Sequence, residues 1–214
     1  MESIHNLAHV NNRINNECCQ DTIDKLSDEK LLSEYTKSKS VQKEIQKLAS
    51  ILDKYIENDA MKHTIIQDYL LELIPAGTKG VIRGNKFNKI VEQFILDLGI
   101  DTERFDICFE KKHDFHMTTE KPDWYIFEKN TNKIIIGMNQ LDLISGGQQL
   151  NRGYKYLVDN KHNTEQSKLL CVICNYTQLK SNKNKAYTLF ETGFKNNNLC
   201  YLKNLQNIIT RFFK

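Results

Sequence analysis

The chain has 214 residues, enough for one domain with a real core or for one domain plus a helical extension. Its composition, 40% hydrophobic and 27% charged, excludes a disordered chain. The net charge of +3 permits a polyanionic partner without requiring one, because a binding groove depends on local charge.

No apolar run approaches the roughly 20 residues that cross a bilayer, so no membrane association is expected. The opening MESIHNLAHVNNRINN lacks the apolar segment of a secretory leader, which predicts an intracellular, cytoplasmic protein. Residues 1–78 read as a helical N-terminal region, with the Asn-rich first 25 residues loosely ordered. Leu48, Ile51, Leu52, Tyr55 and Ile56 recur at helical spacing, as do Ile65, Ile66, Tyr69, Leu70 and Leu73. The run Pro75 to Gly80 then breaks the pattern and marks the start of a second region, 79–214.

That second region opens with a helix over about 85–98, whose apolar face carries Phe87, Ile90, Val91, Phe94, Ile95 and Leu98 and which Gly99 ends. A short strand is predicted at Phe105–Phe109. Trp124–Phe127, a polar turn over 128–133 and the apolar run Ile134–Met138 read as a hairpin. A helix over about 148–158, a strand at Leu169–Cys174, a helix around 183–195, a strand at Leu199–Leu202 and a final helix at 203–213 follow. The core order is α-β-β-β-α-β, and no Gly-rich phosphate loop interrupts it. Cys171 and Cys174 form a CxxC, but within a buried strand residues three apart point to opposite faces, which favours apolar thiols over zinc ligands.

Polar groups gather around the hairpin. Pro122 suits the first residue of a strand because its missing N–H is not needed there, and Asp123 then projects from a rigid element. On the second hairpin strand, Met138, Gln140 and Asp142 share one face if the strand extends that far. Oxygen donors from Gln140 and Asp142, with Asp123 opposite, suit a hard cation; Mg²⁺ typically takes one or two protein carboxylates and completes its shell with water and phosphate oxygens. In the next helix Ser145 and Gln148 have capping-box spacing, and Gln148, Asn151, Arg152 and Lys155 line one polar face. With Gln149 beside them, these amide and basic side chains suit a phosphate backbone at a helix N-terminus. Leu150, Tyr154, Leu157 and Val158 form the opposite, apolar face. His113 and His116 lack the partners of a zinc site and read as loop residues.

The stretch KPDWYIFEKNTNKIIIGMNQLDLISGGQQLNRGYKYL resembles type II restriction endonucleases of the PD-(D/E)XK superfamily, bacterial and large-virus members among them. The likeness extends upstream to GTKGVIRGNKFNKIVEQFI and downstream through SKLLCVICN to FETGFKNNNLCYL, about residues 78–205. It implies an α/β, restriction-endonuclease-like αβββαβ core with a mixed central sheet, Mg²⁺-dependent phosphodiester hydrolysis, double-stranded DNA as substrate and a homodimer. It also implies catalytic and metal-binding roles for Asp123, Asp142 and the helix acid Glu92, with Gln140 in the position of the family's lysine. The sequence departs from the pattern at Met138, which occupies the place of a metal-binding acid although a thioether is a poor ligand for Mg²⁺. Asp142 or Glu92 would therefore supply the missing carboxylate. The departure keeps two other readings open: a catalytically inactive DNA-binding protein on a nuclease fold, and a structure-specific repair or recombination nuclease.

Overall fold

The computed structural model describes residues 12–111, 121–141, 154–158, 163–174 and 185–214. It is an α/β chain whose contacts divide into two compact units, one of residues 21–86 and one of residues 1–20 with 87–214. The division falls inside a single helix.

The first unit is helical. It contains α1 (Gln20–Tyr35), α2 (Lys39–Leu52), α3 (Asp59–Leu73) and the beginning of α4 (Ala76–Asp97). Ile23, Leu31, Val41, Leu70 and Ile74 are its buried apolar residues. Asn58 caps α3 by accepting the Met61 N–H at 3.1 Å, which satisfies one of the orphan donors of the first turn.

The second unit is built on a five-stranded mixed sheet: β1 (Phe105–Phe109), β2 (Trp124–Glu128), β3 (Ile134–Gln140), β4 (Ser167–Ile173) and β5 (Leu199–Tyr201), in that spatial order. The pairs β1–β2 and β2–β3 are antiparallel, and the pairs β3–β4 and β4–β5 are parallel. Parallel neighbours need crossovers. Tyr156 and Leu157 come from the first, a π-type turn at Tyr154–Val158, and Leu189 and Phe190 from the second, α5 (Lys185–Lys195). All four enter one apolar cluster with Ile134, Ile136, Met138 and Cys171. Two successive crossovers of the same hand, stepping in the same direction, fall on the same face of a sheet. Ile126, Ile135, Leu170 and Val172, which alternate to the other face, are fully buried too. A 3₁₀ turn (Leu202–Asn204) and α6 (Leu205–Phe212) close the chain.

Several expectations need correction. The pattern breaks at Ile74 and Pro75, as expected, where α3 ends, but the residues that follow are not a loop. α4 begins at Ala76 and carries Gly77, Gly80 and Gly84 inside it; Pro75 is tolerated at its start because the N–H that proline lacks would have no partner there, and its carbonyl accepts the Thr78 N–H at 2.9 Å. Gly99, with φ +62°, follows its end as expected. Tyr55 lies beyond the end of α2 and is exposed, as are Ile51, Tyr69 and Leu73, so the two stripes are only partly buried. Residues 12–17 are helical, with Ile14 and Cys18 buried, so this part of the Asn-rich start is not loose; residues 1–11 lie outside the described residues. In the turn Tyr154–Val158 the wider winding brings Tyr156 and Leu157 inward and leaves Val158 exposed, against the α-helical assignment of faces.

Candidate active site

Asp123 immediately precedes β2, after the buried Pro122. Its backbone is fixed on both sides: the N–H donates to the Gly137 carbonyl at 3.1 Å, and the carbonyl accepts the Glu110 N–H at 2.9 Å. Carboxylate Oδ2 accepts the Asn139 backbone N–H at 2.6 Å. Oδ1 accepts the Asn88 side-chain amide at 3.4 Å, a long and correspondingly weak bond. Backbone pairing of β2 with β3 ends at Trp124–Gly137, so the Asp123 side chain supplies an acceptor just beyond the end of the ladder.

The triplet Met138-Asn139-Gln140 ends β3. Met138 is buried within the apolar cluster and pairs across the parallel ladder with Cys171. An acid at 138 would be buried there among apolar neighbours at a cost of several kcal/mol (order of magnitude) unless paired, which accounts for an apolar residue at this position. Gln140 is also buried, two residues along the same face. Asn139 alternates to the opposite face, where its Oδ1 accepts the Trp124 indole N–H at 2.9 Å.

The indole lies directly over Gly137. A Cβ at 137 would overlap its six-membered ring, so this close approach requires glycine.

Glu92 on α4 is half-buried and bonded to Lys89 at 2.6 Å, one turn earlier. That hydrogen bond, with the charge of Glu92, raises the Lys89 ammonium above its ordinary value against a small opposing effect of burial; Glu110 adds a further push. The helix side chain that reaches Asp123 is Asn88, one turn before Glu92. Glu110, next to β1, was not singled out by sequence. The β1–β2 register brings it opposite Asp123, and its side chain pairs with Lys121 at 3.4 Å. Its left-handed backbone, φ 50°, is a signal that only the structure carries.

Asp142, Gln148, Gln149, Asn151 and Arg152 lie outside the described residues, as do His113, His116 and the side chain of Lys155. Among the described residues no three His, Cys, Asp or Glu come together in a group that could hold a metal. None of the six cysteines forms a disulfide bond. Burial, reinforced by the neighbouring Cys200 and the Asp123 carboxylate, pushes the Cys171 thiol far up, which keeps it protonated and neutral. The Cys174 thiol donates to the Cys18 carbonyl, so the two cysteines of the CxxC serve different neighbourhoods.

No helix among the described residues is long and apolar enough to cross a membrane. No protein-family model, curated protein or solved structure matches the chain.

Proposed function

We propose that the chain is a Mg²⁺-dependent endonuclease of the PD-(D/E)XK type, a type II restriction enzyme that cuts double-stranded DNA at a short specific sequence as a homodimer. The observation that carries this reading is the Asp123 carboxylate bonded to the Asn139 N–H, where the ends of β2 and β3 meet. The order α4, β1, β2, β3, crossover, β4, with an antiparallel half joined to a parallel half, agrees with a restriction-endonuclease-like core.

The donors fit Mg²⁺ in kind, since the Asp123 carboxylate and the Gln140 amide offer hard oxygens. They fall short in number among the described residues, and a second carboxylate would come from Asp142 or Glu92. When bound, the ion would stabilise charge developing on phosphate and lower the pKa of an attacking water. The protein's own part is orientation. Asn139 holds the Asp123 carboxylate, Gln140 offers an amide in the position of the family's lysine, and Gln148, Gln149, Asn151, Arg152 and Lys155 would bind backbone phosphates. This activity would be exerted inside the cell, at DNA.

A plasmid digest with Mg²⁺ tests the proposal, with Asp123→Ala as its control. Discrete fragments from the wild type and none from the variant are expected. Smeared, structure-dependent cutting would instead indicate a repair or recombination nuclease. Tight duplex binding without cutting would indicate a nuclease fold kept for DNA binding alone, the reading favoured by the burial of Met138 where an acid would be needed.

A further inference from the structure

Asn139 takes part in two bonds on two sides of its strand. Its side-chain oxygen accepts the indole N–H of Trp124 at 2.9 Å, on the face where Trp124 covers Gly137. Its backbone N–H, in the plane of the sheet, donates to Asp123 at 2.6 Å. Trp124 sits opposite Gly137 in the antiparallel register, and its ring reaches diagonally to the residue two further along β3. The spacing Gly137-x-Asn139 thus serves one side chain: the glycine makes room for the ring and the asparagine receives its N–H. Trp124 is fully buried, so its N–H has no water to turn to if Asn139 is lost.

We propose that Asn139 is the positioning residue of the candidate active site, with Trp124 and Gly137 as the clamp that holds it. The clamp fixes the last turn of pleat in β3, and with it the direction of the N–H that orients the Asp123 carboxylate. Asn139 touches no substrate; it acts through Asp123. The assignment of a reaction to Asp123 rests on the nuclease reading above, whereas the coupling of Trp124 to Asp123 rests on the two hydrogen bonds.

Coupling between two groups is reciprocal, so removing the carboxylate must be felt at the indole. Trp124 is the chain's single tryptophan, which gives one indole N–H resonance to follow. Hydrogen exchange of that proton is measured in the full-length wild type, Asn139→Ala, Asn139→Asp and Asp123→Ala, with the surface variant Lys37→Ala as a control. Exchange should accelerate at least about tenfold in Asn139→Ala and measurably in Asp123→Ala. It should return toward the wild-type rate in Asn139→Asp, which keeps an acceptor oxygen. An indole unmoved by Asp123→Ala, beyond the Lys37→Ala control, overturns the coupling whether or not the chain cuts DNA. In the cleavage assay Asn139→Ala should lower kcat by about ten- to a hundredfold with KM for DNA unchanged, as expected for a misplaced catalytic group. Asn139→Asp should recover part of that loss. A kcat equal to wild type in Asn139→Ala, in an enzyme whose Asp123→Ala variant is dead, also overturns the positioning role while leaving the nuclease reading intact.

Discussion

The two ends of β2 carry carboxylates with different surroundings. Glu128, at the far end, is only 1% exposed and is met by the Arg104 guanidinium, with Nε at 2.6 Å, and by the Thr131 hydroxyl. Burial pushes its carboxyl up. Hydrogen bonds from Thr131 and Arg104, with the charges of Arg104 and Lys133, more than offset this and hold it below the ordinary 4.5. Arg104 also reaches the Phe213 carbonyl at 3.5 Å, and Lys133 reaches that of Phe212 at 3.3 Å, so this end ties the hairpin to the last residues of α6. Asp123, at the near end, is half-buried and accepts from a backbone N–H and a side-chain amide. A guanidinium neutralises a carboxylate, whereas an amide orients it and leaves its charge in place. The two carboxylates of one hairpin thus differ in the partners that hold them, a guanidinium and a hydroxyl for Glu128, a backbone N–H and an amide for Asp123.

Substitutions can break that contrast, beginning with the largest effect. Asp123→Ala is expected to reduce cleavage at least about a hundredfold, equivalent to about 2.7 kcal/mol of transition-state stabilisation, with little loss of thermal stability. A large fall in Tm instead would make Asp123 a second structural carboxylate. Glu128→Ala should do the reverse. Leaving the Arg104 guanidinium without its partner should cost about 2–4 kcal/mol, below the range for fully buried pairs because Arg104 is about half exposed. A fall in Tm of about 5–10 °C is expected, with cleavage intact at permissive temperature.

The same contrast should appear in pH. The folded Glu128 carboxyl lies below 4.5, so its contribution to stability is complete above that pH and is lost as pH falls through the folded value. Urea midpoints of wild type and Glu128→Gln, followed from pH 7 downward, should differ most at neutral pH and converge in acid; parallel curves would contradict the assignment. The smallest effect belongs to Glu92→Gln. Its partner Lys89 is exposed, so Tm should not change measurably, and any loss of rate should be smaller than in Asp123→Ala. Equal losses would mean that Glu92 acts on the metal directly.

The hairpin was legible because its polar turn separates two apolar runs, and the structure keeps both strands, ending at Glu128 and resuming at Ile134. The start of α4 was not. Glycines at 77, 80 and 84 look like a loop, yet all three lie within the helix, whose buried residues begin only at Phe87. Asp123 was visible from Pro122 and its place before a strand. The clamp was not, because the meeting of Trp124 with Gly137 and Asn139 depends on a diagonal across two strands whose register periodicity alone does not set. Glu110 escaped for the same reason. Met138 was noticed as an anomaly, but its explanation lies in the apolar residues that crossovers far along the chain bring onto it.

β3 is also where the antiparallel half of the sheet meets the parallel half, and this has a consequence for the order of folding. The β2–β3 hairpin closes over the short turn 128–133, whereas pairing of β3 with β4 must close the chain from 141 to 166. Loop-closure entropy favours the shorter step, and pairings between distant segments form late. The hairpin is therefore expected to gather Asp123, Trp124, Gly137 and Asn139 before the parallel strands arrive. The bond between Asp123 and Asn139 would then be inherited from a local element, set before the long crossovers pack against the sheet.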